Sequence, residues 1–132
     1  MRITPDTNIL VRAIVDDDPE TSPRARALLE QAEEVVLTVV ALAELDWVLR
    51  KQLKWPRELV VEVIRRMTAT ANVRCHRWTV DEGLAALEAG ADFADGVIAY
   101  DGAWQHGETF VTLDRKAAAV VSVRGGEVLL LD

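Results

Sequence analysis

An α/β fold, with a central, mostly parallel sheet flanked by helices, is what this sequence predicts. Three observations carry that reading. Short β-branched runs alternate with helical patterns along the chain, the arrangement that builds parallel sheets covered by helices. Half of the 132 residues are hydrophobic, enough to bury a core. No repeat, low-complexity tract or Gly/Ser linker interrupts the pattern, so residues 1–132 read as one domain.

The elements follow in chain order. Ile3-Thr4 reads as the first strand. Ser22-Pro23 supplies an N-cap and a first-turn proline for a helix over Arg24 to Ala32. Val35-Val36-Leu37-Thr38 is the second strand, and a long apolar helix follows from about Val40 to Leu53. Pro56 opens a helix reaching about Thr70, and Val73-Arg74-Cys75 is the third strand. Thr79 and Glu82 have the spacing of a capping box, opening a helix to about Ala89. A further helix spans roughly Phe93 to Trp104. Phe110-Val111-Thr112 and Val128-Leu129-Leu130-Leu131 complete the strands, with Gly125-Gly126 as the turn before the last.

Composition narrows the function classes. There is no apolar run of about 20 residues, so no membrane span is expected. The N-terminus lacks the apolar stretch of a signal peptide and Cys75 is the sole cysteine, so a reducing cytoplasm is the expected location. The net charge of −7 is unlike that of a protein gripping phosphates directly, although an acidic site can bind them through a cation. Arg50, Lys51, Lys54, Arg57, Arg65, Arg66, Arg74 and Arg77 fall in one central stretch. They read chiefly as solvated helix faces, with a track for RNA or an acidic partner as the alternative. His76 and His106 are too few for a zinc site, Ser22 and Ser122 sit in no nucleophile-elbow pattern, and no phosphate-binding glycine motif is present. Trp47, Trp55, Trp78 and Trp104 read as core or dimer packing before base stacking.

Acidic residues at element boundaries stand out. In open parallel sheets, sites form beyond the carboxyl ends of the strands. Asp6 directly follows the first strand, and Asp114 follows Phe110-Val111-Thr112-Leu113. Each also suits a helix cap. Glu44 sits in an apolar helix, where an ionised group needs a reason such as a nearby cation; the adjacent Asp46 keeps open a solvent-facing Glu44. Asp92 and Asp95 share a helix start, with Asp92 as N-cap and Asp95 in the first turn, projecting into the crevice. Hard cations such as Mg²⁺ and Mn²⁺ prefer these oxygen donors, and a water activated by such a cation can attack a phosphodiester in line.

Four segments together resemble the PIN domain family. They are Asp6-Thr7-Asn8-Ile9-Leu10-Val11-Arg12 with Asp17-Asp18-Pro19-Glu20, Val40 through Arg50 around Glu44, Ala91 through Ala99 around Asp95, and Phe110 through Ala118 around Asp114. They run nearly end to end in family order, and the likeness is greatest to VapC-type toxins of type II toxin–antitoxin modules. The resemblance implies a single PIN-like domain and a Mg²⁺- or Mn²⁺-dependent ribonuclease with Asp6, Glu44, Asp95 and Asp114 as its acidic site. Within that set Asp6, Asp95 and Glu44 are the expected metal ligands, and Asp114 a second-sphere or second-metal group. Thr7, Asn8 and Thr112 are implied supports, while Asp92 reads as a helix cap. A homodimer and a VapB-like antitoxin that inserts a segment into the groove are implied partners. Pro5 stands where an apolar strand residue is usual, and Gly96 where alanine is commoner. The alternatives are a catalytically inactive PIN-like module that binds RNA or protein, and a receiver-type phosphoacceptor, which would want an acid pair after the first strand.

Overall fold

Five strands and seven helices alternate in the computed structural model, which describes residues 1–132. They divide into two compact units, Met1–His76 and Arg77–Asp132. The α/β class and the parallel pairing are borne out. The strands form a three-stranded sheet in the first unit and a two-stranded one in the second. No helix is long and apolar enough to cross a membrane.

In the first unit the order is β1 (Arg2–Ile3), α1 (Thr7–Val15), α2 (Thr21–Gln31), β2 (Glu34–Val36), α3 (Val39–Trp47), α4 (Arg57–Ala69) and β3 (Val73–Arg74). The sheet runs β1-β2-β3, all parallel, with Ile3 beside Val35 and Val35 beside Val73. Pro5 falls beyond β1, where its missing N–H removes nothing from the ladder. α3 and the turn that continues it bury Leu42, Leu45 and Leu49, three and four residues apart, as a core-facing stripe requires. Beyond Trp47 the helix widens through Val48–Gln52, and the Leu53 N–H donates to the Val48 carbonyl at 3.0 Å, five residues back. Asp46 is fully buried here and holds Arg50 by two bonds, at 2.5 and 2.9 Å. Of the adjacent acids, then, Asp46 faces inward and Glu44 is exposed.

α2 begins earlier than Ser22-Pro23 suggested, so Ser22 is not its N-cap. The Asp18 carboxylate accepts the N–H groups of Glu20 and Thr21 at 3.0 and 3.1 Å, and the buried Ser22 hydroxyl accepts the Asp18 N–H at 3.3 Å. Asp18 thus secures the turn that leads into the helix, whose N-cap position is Glu20, while Pro23 sits in the first turn, where its missing donor costs nothing. At the other end Asn72 donates to the carbonyls of Leu29 and Ala32, both at 3.0 Å, closing α2 onto the loop before β3.

The second unit runs α5 (Arg77–Ala89), α6 (Phe93–Trp104), β4 (Thr109–Thr112), α7 (Arg115–Val123) and β5 (Glu127–Leu130). β4 and β5 pair in parallel across the α7 crossover, with Phe110 beside Val128 and Thr112 beside Leu130. α5 starts at Arg77, so Thr79 and Glu82 lie inside it and form no capping box. Glu82 instead binds the Arg124 guanidinium at 2.8 and 3.1 Å, and this contact with α7 takes the side chain the cap would have used. α5 and α6 meet through glycines. A Cβ on Gly83 would stand 2.6 Å from the Phe93 ring, and one on Gly96 would run into the Glu82 carbonyl oxygen. Gly96 is therefore there for close helix approach.

The tryptophans correct the core part of the expected core or dimer packing. Trp47, Trp78 and Trp104 are 50%, 79% and 71% exposed; only Trp55 is half-buried. The central basic stretch is also broken up, because Arg50 pairs with Asp46, Arg66 with Glu62 and Arg74 with Glu34. Gly125, at φ +91°, makes the turn into β5 as expected.

Candidate active site

Asp6 is the N-cap of α1, its backbone extended and its Oδ1 accepting the Ile9 N–H at 3.1 Å. The cap uses one carboxylate oxygen. Pro5 just before it is buried, while Asp6 itself is exposed, with Thr7 half-buried and Asn8 exposed in the first turn. α3 starts in the same manner: the Thr38 hydroxyl accepts the Ala41 N–H at 3.1 Å, and Glu44 follows in the second turn. Asp6 and Glu44 line one open pocket of about 260 Å³, together with Thr4, Thr7 and Thr38. Residues far apart in sequence thus bring two carboxylates and three hydroxyls to one space.

In the second unit Asp92 is the N-cap of α6, as expected, and Asp95 forms a capping box with it. Asp95 Oδ2 accepts the Asp92 N–H at 3.0 Å, and the side chain is half-buried. Asp114 caps α7, its Oδ1 accepting from the Lys116 and Ala117 N–H groups at 2.8 and 3.1 Å. The Thr112 hydroxyl accepts the Asp114 N–H at 3.0 Å and so fixes the turn that presents this acid.

Three of the four acids thus stand at helix N-termini. A helix N-terminus carries the equivalent of roughly half a positive charge and attracts anions. Within neither unit do three His, Cys, Asp or Glu side chains gather closely enough to hold a metal by themselves. The donor set nonetheless fits a hard cation. Mg²⁺ takes only one or two carboxylates directly and keeps several waters, which a pair such as Asp6 and Glu44 satisfies. Thr4 and Thr38 were not among the expected site residues. Thr38 carries a readable signal, a threonine just before an apolar helical run; Thr4 carries none.

The family model for the PIN domain matches residues 3–122. The chain belongs to the PIN domain family. PIN domains are typically nucleases that act on nucleic acid and usually use divalent metal ions. No curated protein and no solved structure matches the chain. The match covers all four acids and both of their threonine neighbours, Thr7 and Thr112.

Proposed function

We propose that the chain is a Mg²⁺- or Mn²⁺-dependent endoribonuclease that hydrolyses RNA phosphodiester bonds, acting in the cytoplasm as the toxin of a VapBC-type toxin–antitoxin module. The observation that carries this is the pocket shared by Asp6 and Glu44, an oxygen-only donor set in a PIN domain. In this reading Asp6, Glu44 and Asp95 ligate the cation, and Asp114 holds an outer-sphere or second-metal position. A bound cation supplies Lewis-acid stabilisation of the phosphoryl group and an activated water as nucleophile.

The chain's own residues do the positioning. The Asp6 cap keeps one carboxylate oxygen on the Ile9 N–H and so fixes the orientation of the other. Thr7 and Asn8 offer a hydroxyl and an amide beside it, and Thr112 sets the backbone of Asp114. A homodimer and a VapB-like antitoxin reaching into the groove complete the proposal.

Purified protein should cut single-stranded RNA with Mg²⁺ or Mn²⁺ and stop when the ion is chelated. Asp6→Asn and Asp95→Asn should each abolish cutting, and in cells relieve growth arrest on expression. Undiminished cutting by both variants would overturn the mechanism. Absence of cutting, combined with failure to bind Mn²⁺ in calorimetry, would leave an inactive PIN module that binds RNA or protein.

A further inference from the structure

The second unit holds a pocket that the nuclease reading does not use. It lies where α5 and α6 pack together and along the carboxyl-terminal half of α7 and the amino ends of β4 and β5. Asp114 stands at the opposite end of α7, ten positions and about 15 Å before Arg124 at 1.5 Å per residue. Neither Asp95 nor Asp114 lines the pocket, although Gly96, the residue after Asp95, does.

The space exists because the helices present small side chains to it. Ala86, Ala99 and Ala103 line the wall, where longer residues would fill it. The Tyr100 and Phe110 rings line it too. Its volume is about 150 Å³, below the roughly 300–1,000 Å³ of small-molecule sites. It suits a single protruding side chain.

Charge decides which side chain. Three carboxylates and one guanidinium border the pocket. Arg124 is already bound to Glu82, whereas Glu108 and Glu127 make no ion pair. An apolar wall with two aromatic rings and two unpaired carboxylates matches a long cationic side chain with an apolar stem. Arginine meets this better than lysine, because its planar guanidinium stacks on rings and can bond two carboxylates at once.

We propose that this pocket is a docking site for an arginine side chain on a basic peptide segment of a protein partner, separate from the candidate catalytic acids. Arginine is among the residues that most often anchor protein interfaces in desolvated pockets. The proposal does not rest on the nuclease reading.

The test uses the full chain, ¹⁵N-labelled, titrated into the millimolar range with acetyl-Ala-Leu-Arg-Leu-Ala-amide and, separately, with the same peptide carrying Glu in place of Arg. The Arg peptide should shift the amides of Ala103, Phe110, Val121 and Gly126, and the Glu peptide should not. Glu108→Gln combined with Glu127→Gln should weaken binding about five- to tenfold, as two partly exposed charge pairs imply. Ala103→Leu, at an exposed helix position, should block the pocket while leaving the circular dichroism unchanged. Equal binding of the two peptides, unchanged affinity in the double Gln variant, shifts centred on Asp95 and Asp114, or no shift at all would each overturn the proposal.

Discussion

An aspartate at a helix N-cap can serve two ends, since the cap occupies one oxygen and leaves the other for chemistry. Asp6 is placed in this way, and substitution separates the roles. Asparagine caps about as well as aspartate but carries no charge. Asp6→Asn should therefore keep stability within a few tenths of a kcal/mol while lowering cleavage by at least about 100-fold, the loss expected when a metal ligand is removed. Asp6→Ala should add a stability loss of about 1 kcal/mol in urea unfolding. If Asp6→Asn cuts RNA as well as the unaltered chain, the residue is a cap and nothing more. Gly96 allows a second residue-scale prediction, where two effects compete. Alanine gains up to about 1 kcal/mol in helix propensity. Its Cβ, however, would meet the Glu82 carbonyl and the Ala86 methyl, both held by helix backbone, and overpacking of this kind costs about 1–3 kcal/mol. The clash should win, so Gly96→Ala should lower the urea midpoint even though alanine is the better helix former.

At the scale of elements, α2 shows a local pattern overridden by its neighbours. Ser22-Pro23 has the composition of a helix start, yet Asp18 secures the turn into the helix, and the Glu20 and Thr21 N–H groups it accepts lie outside any Ser-Pro rule. Those bonds have a pH consequence. The Thr21 N–H, followed by that of Glu20, holds the Asp18 carboxyl below the ordinary aspartate value of 3.8. A lowered folded-state value means these bonds stabilise the fold above that pH and are lost as pH falls through it. Protection of the Glu20 and Thr21 amides, measured against the unstructured exchange rate at the same pH, should thus fall progressively as pH drops below 3.8, and Asp18→Asn should remove that dependence. α3 carries a different kind of prediction. Asp46 is 1% and Arg50 7% exposed, so Arg50→Ala removes two charge-assisted bonds from a buried carboxylate and should cost about 1.5–3 kcal/mol in urea unfolding. That pair was not legible from sequence, because Glu44 and Asp46 are equivalent in composition and only packing decides which one turns inward. The short helices α1 and α7 are not legible as elements either, although their caps Asp6 and Asp114 are conspicuous in the sequence. Nine residues with β-branched content leave little periodicity to read. All five strands are legible to within two residues, since their β-branched runs are local signals. Their division into sheets of three and two is not, because pairing is a long-range property. The Thr79–Glu82 spacing failed for a related reason, as Arg124 lies 42 residues from the Glu82 it binds.

For the whole molecule, the excess of acid over base is the feature a cation should answer. The chain carries 22 Asp and Glu against 15 Lys and Arg, and gathering carboxylates into one pocket raises the energy of the folded state unless positive charge enters it. Ligand binding to the folded state alone stabilises it by about 2.7 kcal/mol when the free ion is at a hundred times its dissociation constant. Saturating Mn²⁺ should accordingly raise the melting temperature, and a chelator should return it to the metal-free value. Screening by ions gives a competing account, since any salt weakens repulsion across an acidic surface. The two separate by matched ionic strength and by substitution. At equal ionic strength Na⁺ should leave the melting temperature nearly unchanged, and Glu44→Gln should remove most of the Mn²⁺ shift while sparing the fold, because Glu44 is exposed and caps nothing. A shift that Na⁺ reproduces, or that survives in Glu44→Gln and Asp6→Asn alike, would assign the effect to surface charge and remove the pocket's claim to a metal.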